Sequence, residues 1–235
     1  MTTLILVPGF WLDASSWSEV TPTLEAAGHD VRPITLPGLE SRDADRSSIG
    51  LADHVAAVVE AIDAAGQPVV LVGHSGGGAV VHAAVDQRPD RVTRAVYVDS
   101  GPLPDGVAIN PALPVEADEV PLPEWDLFRQ DGARDLDDFT DEQLEAFRAR
   151  AIPIPTGAAR DPQVLKDERR YGVPITLIST TFRRDEIDGA IAAGVPYFSE
   201  VPKTHDVTIV ELPTSHWPQF TKPAELSQAI LDAVS

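Results

Sequence analysis

Residues 69–80 read Val69-Val70-Leu71-Val72-Gly73-His74-Ser75-Gly76-Gly77-Gly78-Ala79-Val80, four apolar residues running into Gly-x-Ser-x-Gly and out into alanine-rich sequence. A buried strand that turns sharply into a helix needs this order. Glycines two before and two after the serine let the two backbones approach, while the serine at the apex takes a strained conformation that lifts its hydroxyl clear. A helix beginning at Gly76 directs unpaired N–H groups towards negative charge developing at that hydroxyl. Ser75 is therefore a candidate nucleophile on a strand–turn–helix unit of an α/β fold.

Short apolar runs of the same kind recur at Leu4–Val7, Val31–Leu36, Ala95–Val98, Ile175–Ile178 and Val207–Val210, making six candidate strands with residues 69–72. Between them the apolar period switches to that of a helix. Leu51, Val55, Val58, Val59 and Ile62 form one stripe, and Ala79, Val80, Ala83 and Ala84 a second. Leu226, Ile230 and Leu231 mark a C-terminal helix with Thr221 as its candidate cap and Pro223 in its first turn. Apolar strands alternating with helices predict a mostly parallel sheet of about six strands covered by helices on both faces.

The alternation stops from about Pro102 to Pro162, where prolines cluster and no buried strand is expected. Between Leu103 and Arg148 stand 13 acidic and 3 basic residues, so −10 of the chain's formal −19 falls on this segment. The capping-box pattern Thr140-Asp141-Glu142-Gln143 leads into Leu144 and Phe147 and predicts a helix there. Residues 102–165 are thus read as a small helical cap carrying Trp125, Phe128, Phe139 and Phe147, inserted into a core of residues 1–101 and 166–235.

Composition excludes several functions. With 37 acidic and 18 basic side chains in 235 residues, the chain lacks the cations that displace counterions from DNA, RNA or anionic lipid. It has no cysteine, which removes disulfides, thiol nucleophiles and zinc–thiolate or iron–sulfur sites. No apolar stretch approaches the ~20 residues of a membrane helix. Met1-Thr2-Thr3 leads directly into an apolar strand, not a signal peptide, so a cytoplasmic protein is expected. No Gly-x-Gly-x-x-Gly, P-loop or His-Glu-x-x-His spacing occurs, so neither cofactor nor metal is expected. Nothing in the sequence sets an oligomeric state.

Around the Ser75 motif the sequence resembles the α/β-hydrolase superfamily of serine hydrolases. Val7-Pro8-Gly9-Phe10-Trp11, Ser16-Trp17 and Leu24-Glu25-Ala26-Ala27-Gly28-His29-Asp30-Val31 are similar to the opening of its small esterases, a branch that includes plant methylesterases and hydroxynitrile lyases. The resemblance implies an α/β-hydrolase fold. Where those relatives usually end their first strand in His-Gly, this chain has Pro8-Gly9. It also implies an oxyanion hole made by the backbone N–H groups of Phe10 and Gly76. Of the six histidines, His29, His54, His74, His82, His205 and His216, only His216 occupies the loop between the last strand and the C-terminal helix that holds the family's catalytic base. His74 reads as a turn residue and His82 as packing.

The third member departs from the commonest pattern. Most relatives carry an aspartate just past the strand after the cap, a position that falls on Phe182 or Arg183 here. A subset that includes haloalkane dehalogenases places the acid one strand earlier, which lands on Asp99; Asp185 is the alternative. The resemblance thus implies that Ser75, His216 and Asp99 hydrolyse an ester, lactone or thioester-like bond; the cap's aromatics suggest a pocket for a small apolar substrate, and its −10 predicts a preference for neutral or cationic molecules over anions, a neutral one above all. A different use of the same fold, as a hydroxynitrile lyase, a perhydrolase or a ligand receptor with slow turnover, stays open. A lyase is expected to bring a cation to the nucleophile, and the lysines available are Lys166, Lys203 and Lys222.

Overall fold

The computed structural model describes residues 1–130 and 132–235; Asp131, in the insertion, lies outside the described residues. In chain order the elements are β1 (Thr3–Val7), α1 (Thr21–Ala26), β2 (Asp30–Pro33), α2 (Leu51–Ala64), β3 (Val69–His74), α3 (Gly76–Gln87) and β4 (Val92–Val98). The insertion contributes β5 (Glu119–Val120), α4 (Asp141–Arg150), β6 (Ile154–Pro155) and α5 (Thr156–Arg160). The chain closes with β7 (Ile175–Ser179), α6 (Arg184–Ala192), β8 (Val207–Glu211), α7 (Pro218–Thr221) and α8 (Pro223–Val234).

Six strands form one sheet in the order β2-β1-β3-β4-β7-β8, every neighbouring pair parallel. The two-residue period of a strand sorts its side chains between two cores. Leu4, Leu6, Val70, Val72, Val96 and Val98 face α1 and α8 through Leu24, Leu226 and Ile230. Ile5, Val7, Leu71 and Tyr97 face α2 and α3 through Val58, Ile62 and Val81. From β1 the chain passes to β2 on one side and then to β3 on the other. The crevice that such a reversal opens at the strands' carboxyl ends is where sheets of this type bind ligands, and it contains the Gly9–Phe10 turn and Ser75.

Two expectations are corrected. The insertion does contain buried strand, because β5 and β6 pair antiparallel with Val120 and Ile154 fully covered. Strands of two residues leave no periodicity to read. They are held from the core: the Trp11 indole N–H donates to the Val120 carbonyl at 3.1 Å, and the Ile152 N–H donates to the Trp11 carbonyl at 3.0 Å. Thr221 does not cap the last helix, which begins after Lys222 without a side-chain cap. Its hydroxyl instead lies 2.8 Å from Thr214 Oγ1 and 3.0 Å from Ser215 Oγ, fastening the loop that contains His216.

The capping box at Thr140 forms as read, the Thr140 and Gln143 side chains each accepting the other's backbone N–H. At its far end the insertion is tied to α3, where buried Asp86 accepts the Lys166 and Asp167 N–H groups and Gln163 donates to the Ala79 carbonyl. Among the described residues no helix is long and apolar enough to cross a membrane, and no group of three or more His, Asp or Glu could hold a metal ion.

Candidate active site

Ser75 stands between β3 and α3 at φ +51°, ψ −126°. A non-glycine residue there carries strain on the order of 1–3 kcal/mol, comparable to the ~1.5–3 kcal/mol from burying one aliphatic side chain, so the packed sheet can hold it. The conformation is fixed locally: the Ser75 N–H donates to the Val98 carbonyl at 3.0 Å, and the Ser100 hydroxyl donates to the Ser75 carbonyl at 2.7 Å. The motif's glycines are needed for space. A Cβ on Gly73 would lie 2.7 Å from the Gly77 carbonyl oxygen, and one on Gly77 would run into that of Pro8. Because the obstacle is backbone, Gly77→Ala is expected to lower stability by about 2–3 kcal/mol in urea unfolding; a loss below 0.5 kcal/mol would contradict this packing.

His216 Nε2 lies 2.7 Å from Ser75 Oγ, and its Nδ1 lies 2.6 Å from Asp99 Oδ2. Asp99 also accepts the Thr180 and Thr181 N–H groups at 2.8 and 2.9 Å and the Thr181 hydroxyl. Burial alone would push the Asp99 carboxyl up, but the bond from His216, its charge and the two backbone N–H groups hold it well below the usual range. An ionised Asp99 only accepts, so Nδ1 carries the imidazole proton and Nε2 is free to accept the Ser75 hydroxyl. Burial lowers the His216 ring, yet the hydrogen bond and charge of Asp99, with the charge of Asp135, outweigh it and raise the ring above the ordinary histidine value.

Asp185, the alternative acid, sits in the first turn of α6, where its carboxylate accepts the neighbouring Glu186 N–H. Phe182 is half exposed beside it. The residues after β7 therefore face Asp99 with amides, not with a carboxylate of their own.

Phe10 and Gly76 line the same cavity, and the Phe10 ring lies where a Gly76 Cβ would stand. Their backbone N–H groups have no protein acceptor among the described residues. Trp11, directly after Phe10, is at φ +64° and Asp99 at φ +42°, so three strained non-glycine residues meet at one site.

His216 is held by contacts that its place in the sequence does not announce. His74, a turn residue by its place in the sequence, is fully buried and its Nε2–H donates to the His216 carbonyl at 2.7 Å, while Gln219 Nε2 donates to its Nδ1. Burial, helped by the charge of His216, lowers His74 to about 3, so it stays neutral and keeps this pairing. The Asp135 carbonyl accepts the His216 N–H at 2.9 Å. A buried histidine beside Ser75 was the available signal. His82 is buried as read, its Nδ1 3.0 Å from the Tyr97 hydroxyl.

The cavity holds about 350 Å³ and is lined from the insertion by Ile109, Leu113, Leu127, Phe128 and Asp135. Of the four aromatics that the insertion carries, Phe128 lines it. Trp125, Phe139 and Phe147 pack around Trp217, the residue after His216.

Comparison with known proteins gives consistent relatives. A model of the alpha/beta hydrolase family matches residues 4–229. The chain is 27% identical to a pyrethroid hydrolase of Sphingobium wenxiniae, covering 99% of this chain and 87% of that one. It is 35% identical to esterase PIR7B of Oryza sativa subsp. japonica, over 40% of this chain and only 37% of the rice protein. Among solved structures, an extracellular alpha/beta-hydrolase from a Paenibacillus species superposes with a TM-score of 0.79 at 22% identity, over 99% of both chains. A methylesterase from Arabidopsis superposes with a TM-score of 0.76 at 20% identity, over 100% of this chain and 99% of that one. At such identities the structures share the fold.

Proposed function

The chain belongs to the alpha/beta hydrolase family, and from that premise we propose that it is a serine hydrolase cleaving the ester of a small molecule through an acyl-enzyme on Ser75. One observation carries the reading: an unbroken line of contacts from Ser75 Oγ through His216 to Asp99, opening on a cavity large enough for a small substrate. Ser75 Oγ attacks the ester carbonyl carbon and its proton passes to His216 Nε2. The carbonyl π electrons move onto oxygen, which accepts the Phe10 and Gly76 N–H groups; donors of this kind each contribute about 3–4 kcal/mol to lowering the barrier. The tetrahedral species collapses, the alcohol leaves with the proton from His216, and Ser75 is acylated. Water then attacks the acyl carbon as His216 takes its proton, and the acid departs with Ser75 restored.

In this reading residues 102–165 act as a cap on the core of 1–101 and 166–235, and the partner is a small molecule. A cytoplasmic location is a separate proposal, tested by fractionating the producing cells. A lyase assignment gains nothing: Lys203 is engaged with Glu200, Lys222 with the Pro213 carbonyl, and no lysine lines the cavity among the described residues.

Turnover of a p-nitrophenyl ester series and intact mass after a fluorophosphonate probe test the function; neither turnover nor adduct would remove it. The pH profile follows from His216, which must be neutral to accept the serine proton. Its ring titrates above the ordinary value of about 6.5, so kcat/KM should fall as pH drops through that raised value. An acid limb centred below 6 would contradict the coupling to Asp99.

A further inference from the structure

Most polar groups around the cavity are engaged within the protein. Asp99 is saturated by His216, Thr180 and Thr181, the Ser100 hydroxyl is given to the Ser75 carbonyl, and Asn110 Oδ1 accepts the Ala112 N–H. Asp135 is different. Among the described residues its carboxylate takes part in no hydrogen bond or ion pair, and no Lys or Arg lines the cavity. Its backbone is anchored at the reacting centre by the His216 N–H. Burial pushes the Asp135 carboxyl up, His216 pulls it back, and Asp99 and Asp137 push it up again. A half-buried carboxylate without a protein partner is costly unless something in the cavity pairs with it.

The remaining walls suit a cation. Phe10, Trp11, Phe128 and Tyr197 line the same space, and aromatic rings beside a carboxylate are the surroundings in which an ammonium group is stabilised by both charge and ring quadrupole. A neutral hydroxyl could satisfy the carboxylate but would gain nothing from the rings or from the segment's −10. We propose that this cavity selects esters bearing an ammonium group, with Asp135 as the counter-ion and the aromatic rings completing the site. The inference rests on the ester-hydrolase reading and narrows its substrate class.

A matched pair tests it: 2-(trimethylammonio)ethyl butyrate and its carbon isostere 3,3-dimethylbutyl butyrate have the same shape and differ in charge. At low salt the cationic ester should show about tenfold higher kcat/KM, and the ratio should narrow in high salt. In Asp135→Asn the ratio should fall to near one. A wild-type ratio at or below one overturns the proposal, as does a ratio that persists in folded Asp135→Asn; a matched carboxylated ester turned over faster than the neutral one does the same. If wild type hydrolyses neither ester and takes no fluorophosphonate, the hydrolase reading fails by itself. Calorimetric titration of Ser75→Ala with both esters then decides the preference separately: tighter binding of the cation supports it, and equal or weaker binding overturns it.

Discussion

Ser75→Ala is expected to lower ester turnover by about a million-fold, to abolish the fluorophosphonate adduct seen on the wild type, and to leave the fold unchanged. The magnitude follows from what is lost. Ser75 Oγ is the atom that bonds to the substrate in the proposed reaction, and among the described residues no other hydroxyl lies against His216 Nε2. His216→Ala should cost about as much, and the double variant little more, because the two act as one unit. The fold is spared because Ser75 is held through its backbone, by the Val98 carbonyl and the Ser100 hydroxyl. Residual activity within tenfold of wild type, or an undiminished adduct, would mean that another residue is acylated.

What the sequence revealed and what it hid divide along physical lines. The strands, the elbow and its glycines were readable because each is a local pattern: apolar runs, a fixed spacing around Ser75, a helical period from Leu51 to Ile62. His216 was readable from its place between the last strand and the last helix. The donors to Asp99 were not, since two of them are backbone N–H groups of Thr180 and Thr181, and any residue supplies those. The packing role of Trp11 was hidden for a related reason. Its indole reaches Val120 across 109 positions, and the short strands it holds have no pattern of their own. Asp135 was one acid among 13 in its segment, and only its place beside His216 separates it from the rest.

The choice between Asp99 and Asp185 yields the second large effect. Asp99→Asn is expected to reduce kcat by about ten-thousand-fold with little change in KM. In the variant the amide oxygen can keep the Thr180 and Thr181 N–H bonds that Oδ1 accepts now. That arrangement turns the amide NH2 towards His216 Nδ1, where Oδ2 stood. An NH2 there donates, so Nδ1 must be the unprotonated nitrogen and the proton moves to Nε2. The imidazole then points an N–H at Ser75 and cannot accept its hydroxyl proton. Fluorophosphonate labelling should slow by a similar factor without vanishing, because Ser75 and the backbone N–H groups of Phe10 and Gly76 remain. Asp185→Asn removes an exposed first-turn charge whose carboxylate, among the described residues, bonds only its neighbour's N–H, and surface charges of this kind are worth about 0.3–1 kcal/mol to the helix and nothing to the reaction. Its kcat should therefore stay within about twofold of wild type. A damaging Asp185→Asn beside a normal Asp99→Asn would transfer the orienting role to α6 and would require His216 to swing away from the carboxylate it now contacts.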